Sequence, residues 1–141
     1  MTLDRRALVL LPFLLAATPA LGDEIPNLVG TWKATAYAVH LGSNPYRPTE
    51  GTGANFPEAA LEFTFIVSEQ HDRRFAGELN GGDFKETFIG MLQPDNGGGI
   101  ILDEDGRYDF TLRDANTIES CYAHSYPKSK VVACYSLIRQ N

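Results

Sequence analysis

Beyond residue 27, apolar and polar side chains alternate with a period of two, and Gly, Asn, Asp or Pro break the pattern at short intervals. This predicts strands throughout. The first runs from Leu28 to Val39. The second, Leu61 to Glu69, places Leu61, Phe63, Phe65 and Val67 on one face. Arg74 to Leu79 and Phe84 to Leu92 flank Asn80-Gly81-Gly82-Asp83, a strong hairpin turn. Gly99 to Leu102 and Arg107 to Leu112 flank a second hairpin signal, Glu104-Asp105-Gly106, and Tyr108, Phe110 and Leu112 share a face. Thr117 to Tyr122 and Val131 to Arg139 complete the set.

These are eight strands, nearly all joined by short antiparallel connections. They close naturally into an up-and-down β-barrel, which also removes exposed edges. A barrel of this size is either filled by side chains or holds one small ligand. The one long connection, residues 40–60, is rich in Gly, Pro and polar residues and embeds Tyr46 and Phe56. Connections of that length are commonly functional or mobile.

The N-terminus does not fit the strand pattern. Arg5 and Arg6 precede an apolar run from Ala7 to Ala17, and small residues follow. This is the layout of an export signal over residues 1–22, cleaved after Ala20 or Gly22, leaving a single barrel domain over residues 23–141. No other apolar run is long enough to span a bilayer. Losing Asp4, Arg5 and Arg6 moves the formal charge from −6 to about −7. An acidic chain with no basic cluster points away from nucleic acid and from anionic membranes.

Export gives the two cysteines a role. In an oxidising compartment they pair, and bacterial periplasm or secretion is the expected location. A hairpin centred on Pro127 and Lys128 sets Cys121 directly opposite Cys134, within disulfide reach. The bond closes a short loop and contributes about 3 kcal/mol.

Leu28-Val29-Gly30-Thr31-Trp32 in the first strand and Arg139 in the last resemble the calycin superfamily, the lipocalin and avidin type of barrel. The resemblance implies that Trp32 closes one barrel end, that Arg139 lies over its ring, and that Gly30 leaves room for close approach. Lipocalins usually add a helix after the eighth strand. This chain reaches Asn141 without one, so the plan is nearer to avidin. Avidin-like biotin pockets use several tryptophans, whereas Trp32 stands alone here, and biotin is not expected. Small exported barrels of this shape include bacterial protease inhibitors, and the chain is also similar to uncharacterised bacterial exported proteins.

With Arg139 pointing inward, alternation turns Val131, Ala133, Tyr135 and Leu137 inward and the cysteines outward. Ile118, Ser120, Tyr122 and His124 face them from the preceding strand. Trp32 shares its face with Ala34, Ala36, Ala38 and His40. Small alanines opposite Phe63, Phe65, Phe75, Tyr108 and Phe110 outline a ligand pocket. The candidate ligand-binding residues are Ala34, Ala36, Ala38, Phe63, Phe65, Tyr108, Phe110, Tyr122, His124 and Tyr135.

Catalytic and metal signals are weak. His40, His71 and His124 fall on separate segments with no zinc-ligand spacing. Asp103-Glu104-Asp105-Gly106 reads as a hairpin turn rather than a calcium loop. Ser120 and His124 share a face but lie about 13 Å apart along a strand, too far for a nucleophile and its base. The expectation is therefore a protein that is not an enzyme, without cofactor or metal, binding a small apolar or aromatic molecule in the barrel mouth. The alternative is a filled barrel that acts by contact with a protein partner.

Overall fold

The computed structural model describes residues 24–49 and 51–141. The export signal expected over residues 1–22 lies outside them. The regular elements are β1 Gly30–Ala36, β2 Ala38–Leu41, β3 Ala54–Asn55, β4 Leu61–His71, β5 Arg74–Gly81, β6 Phe84–Leu92, β7 Gly98–Leu102, β8 Arg107–Asp114, β9 Thr117–Tyr126 and β10 Ser129–Arg139. No helix occurs among the described residues.

Paired strands run antiparallel in the order β1-β4-β5-β6-β7-β8-β9-β10, and β10 returns to β1. β1 and β2 act as one stave, because Trp32 opposite Arg139 and Ala38 opposite Ala133 belong to a single register along β10. The ladder with β10 lapses over residues 34–37, of which Ala34, Thr35 and Ala36 pair with β4 and Tyr37 belongs to neither strand. The result is a closed eight-stranded antiparallel barrel, and the described residues after β10 form no helix.

Several elements are longer than the sequence pattern suggests. β4 continues past the polar pair Ser68-Glu69 to His71, with a register irregularity between Val67 and Glu69. Asp72 takes a left-handed backbone (φ 55°), which makes a turn tight enough for His71 to pair with Arg74. β9 runs on to Tyr126 because Ser129 and Lys130 extend the ladder of β10 to meet it. The long connection also carries structure: Ala54 and Asn55 pair with Leu41 and His40 and continue the wall above β4.

The barrel has a closed end and a mouth. At the closed end Trp32 is 1 % exposed and donates from Nε1 to the Leu28 carbonyl at 3.0 Å. The Arg139 guanidinium lies 4.1 Å above the centroid of its ring. Arg139 also donates to the carbonyls of Asn27 (2.6 Å), Val29 (2.9 Å) and Ala115 (3.0 Å), so one side chain ties β10 to the segment before β1 and to the β8–β9 turn. Gly30 fits beneath it at φ 140°, where a Cβ would lie 3.0 Å from Arg139 Nη1. Above this lid Phe65, Val67, Phe75, Phe88, Phe110, Ile118 and Leu137 fill the lower barrel. The aromatic rings there meet edge-on or tilted, Phe75 against Phe110 at 6.0 Å and Phe65 against Phe88 at 5.9 Å.

Cys121 and Cys134 are opposed in register and bonded, with Cα atoms 4.1 Å apart, and both are exposed on the outer wall.

Candidate functional site: the barrel mouth

The mouth is ringed by the β2–β4 connection and the β5–β6, β7–β8 and β9–β10 turns. Beneath them lies a cavity of ≈ 60 Å³, room for a few waters. Ala36, Ala38, Phe63, Tyr108, Tyr122, His124 and Tyr135, which the alternation turned inward, border it. Ala34, Phe65 and Phe110 do not. They sit one layer deeper, where Ala34 is 3 % and Phe65 2 % exposed, and belong to the apolar core. Alternation fixes which face a side chain takes, but not its depth along the barrel axis.

The cavity also gathers residues that the sequence pattern did not single out as a site: Asn44, Tyr46, Arg47, Glu86, Asp103 and Asp105. Tyr46 forms its roof. The chain leaves β2 through Gly42 (φ 70°), whose missing Cβ would fall 1.9 Å from the Lys128 carbonyl. It then turns at Pro45-Tyr46, where Asn44 Oδ1 accepts from the Arg47 N–H at 2.9 Å. Arg47 reaches back to the Ala59 carbonyl and ties the loop to its return arm. The Tyr46 ring packs on Phe63 (5.6 Å) and Phe84 (4.9 Å), and its hydroxyl donates to Glu86 at 2.7 Å.

Glu86 comes from β6, where it shares the inward face with Phe88. Asp103 and Asp105 come from the β7–β8 hairpin turn. Asp103 Oδ1 accepts from the N–H groups of Asp105 (3.2 Å) and Gly106 (2.7 Å), an Asx-type arrangement that curls the turn over the mouth. Tyr108 donates to Asp103 Oδ2 and Tyr122 to Asp105 Oδ1, each at 2.6 Å. Carboxylate oxygens of Glu86, Asp103 and Asp105 all lie within 4.8 Å of one another, and the three residues are half-buried. Like charges that close repel by about 3 kcal/mol per pair at an effective dielectric of ~20.

The electrostatics follow. Burial, then the neighbouring acids, pushes the Glu86 carboxyl above its ordinary value of 4.5, although the Tyr46 hydrogen bond pulls the other way. Burial also pushes the hydroxyls of Tyr46, Tyr108, Tyr122 and Tyr135 upward, reinforced by nearby acids, so all four stay protonated as donors.

His124 is 7 % exposed and sits in a directed chain of hydrogen bonds. The Tyr122 proton goes to Asp105, so its oxygen accepts from His124 Nδ1 at 3.0 Å, and His124 Nε2 then accepts from Ser129 Oγ at 3.0 Å. The histidine is thus paired with Ser129 across the turn and not with Ser120. Ser129 stands outside the cavity wall. His40, 4 % exposed, donates from Nδ1 to the Gly42 carbonyl at 3.1 Å, because a carbonyl can only accept. Its Nε2 has no partner among the described residues.

No protein-family model matches the sequence, and no curated protein matches it at a significant level. Among solved structures the fold is similar to an S-type phycobiliprotein lyase from Guillardia theta, at 9 % identity and a TM-score of 0.37, over 81 % of this chain and 89 % of that one. The likeness concerns the fold and brings no activity to this chain. It does correct the expectation that the protein is not an enzyme: a neighbour named as a lyase removes the ground for excluding catalysis.

Proposed function

We propose that this protein is exported to an oxidising compartment, bacterial periplasm or extracellular space, and binds a small molecule in the barrel mouth. The observation that carries the reading is the contrast between the two ends. The lower barrel leaves a void of only ≈ 20 Å³ among apolar side chains, while the mouth keeps ≈ 60 Å³ bordered by apolar walls and convergent polar groups. Ala36, Ala38, Phe63 and Tyr135 supply the apolar and aromatic contacts of the expected ligand. Tyr46 on the 40–60 connection roofs it. The formed disulfide supports an oxidising location. The avidin-like plan and the cleaved leader belong to this same reading.

Native mass spectrometry of the mature protein from its own source tests it. A small molecule that leaves on denaturation, and that Ala36→Phe no longer retains, is the expected result. Ala36 is 3 % exposed, so the larger ring fills the mouth at a cost of about 1–3 kcal/mol, with the barrel still closed. Retention of the molecule by that variant refutes the location.

A second reading, action through contact with another protein, has one feature in its favour. Ile89, Met91 and Leu102 are 64, 55 and 47 % exposed, and they adjoin on the outer wall, where Ile89 pairs with Leu102. Sedimentation of the wild type against Ile89→Lys distinguishes it: a complex or oligomer lost in the variant supports the contact role.

A further inference from the structure

We infer that the mouth selects a small organic cation: a protonated amine with a short apolar or aromatic tail. This rests on the reading of the mouth as a small-molecule site and names the class of ligand.

Three observations converge. The first is the acid cluster of Glu86, Asp103 and Asp105, all bordering the cavity with oxygens within 4.8 Å of one another. Each accepts a tyrosine hydroxyl and keeps further lone pairs for an N–H donor. The second is independent of the acids. His40, 4 % exposed, borders the cavity, and its Nε2 makes no hydrogen bond among the described residues; the hydroxyl of Tyr135, partly buried on the same wall, has no partner there either. Enclosed polar atoms are normally partnered, so these mark a place for a polar atom that arrives from outside. His40 Nε2 bears a free lone pair on the same cavity when the ring is neutral, since Nδ1 is committed to Gly42. The third is the wall itself. Phe63, Tyr108, Tyr122 and Tyr135 offer ring faces, and Ala36 and Ala38 leave space beside them.

These features choose between cations. An ammonium group donates to several acceptors at once and gains from aromatic faces. The apolar floor beside the acids suits a carbon tail. A hard divalent ion would use the carboxylates but would leave that floor unoccupied.

The test is calorimetry on the chelator-treated, disulfide-intact protein. The probes are 2-phenylethylamine and n-butylamine, each against its uncharged analogue, 2-phenylethanol or n-butanol, with calcium and magnesium titrated separately. The expected result is binding of the amines at least tenfold tighter than the alcohols. Glu86→Gln and Asp105→Asn should each weaken the amine about tenfold and leave the alcohol unchanged, since each removes one charged acceptor. Glu86→Gln keeps an oxygen for Tyr46, and an unchanged circular dichroism spectrum establishes that the variant is folded. Equal binding of amine and alcohol overturns the cation inference while the small-molecule reading stands. Tight calcium or magnesium binding that excludes the amine also overturns it and makes the cluster a metal site. If neither amine nor alcohol binds and native mass spectrometry finds no retained molecule, both readings fall together.

Discussion

At the scale of single residues, two side chains hold opposite ends of the barrel. Arg139 combines a cation–π contact with three carbonyl bonds, so Arg139→Ala should lower stability by about 2 kcal/mol in urea unfolding. Arg139→Lys should recover only part, because an ammonium cannot fork over the ring and reach three carbonyls. At the mouth, Gly106 lies under Tyr122, where an added Cβ would stand 2.1 Å from the ring. Gly106→Ala should therefore displace Tyr122 from Asp105 and weaken ligand binding, with a stability loss of about 1–3 kcal/mol. The Trp32–Arg139 pair was legible through the resemblance to calycin barrels, which implies a basic residue of the last strand lying over the first strand's Trp. Glu86 was legible in principle: Phe84, Glu86 and Phe88 alternate, and an acid on the inward face of a strand is a signal. Asp103 and Asp105 were not. Side-chain direction in a turn depends on which backbone N–H groups the carboxylate captures, and no periodicity records that.

At the scale of elements, the β9–β10 hairpin shows why the sequence located the disulfide. Equal distances from the turn centre place Cys121 and Cys134 opposite each other, and the ladder runs from Ser129–Tyr126 to Ile138–Thr117 without slipping. Cys121→Ser with Cys134→Ser should cost about 3 kcal/mol yet keep the barrel, because the ladder survives without the bond. Matched denaturant curves of the oxidised, reduced and double-serine proteins check this. The 40–60 connection was harder to read. Its Gly and Pro content suggests an open loop, yet β3, the Asn44–Arg47 bridge and the Arg47–Ala59 tie organise it around Tyr46. Those contacts are long-range or depend on individual side chains, so local composition cannot show them.

At the scale of the whole molecule, the acid cluster sets a pH dependence. The folded Glu86 titrates above its ordinary value of 4.5, chiefly through burial. Its protonated form is therefore favoured in the native barrel. The stability this gives is complete below that ordinary value and is lost as pH rises through the folded value. Glu86→Gln should thus melt higher than the wild type at neutral pH, with the gap closing below pH 4.5. Because Glu86 is only half-buried, solvent screens the effect and the gap should be small. Scanning calorimetry of both proteins across that range tests it, and a gap independent of pH would assign the effect to packing. The closed eight-stranded architecture was itself legible, since strand count and short turns leave few alternatives. How much of the barrel is open was not, because that depends on how deep each inward ring reaches.

The Arg139 clasp also sets the orientation of the molecule in use. Gln140 N–H bonds to the Thr31 carbonyl at 2.8 Å, and Arg139 holds Asn27 and Val29, so both ends of the described chain emerge at the Trp32 side. A probe surface coupled through either end would thus present every mouth outward, away from the support. Tethering would leave the mouth accessible, whereas coupling through Lys128 in the β9–β10 turn would cover it.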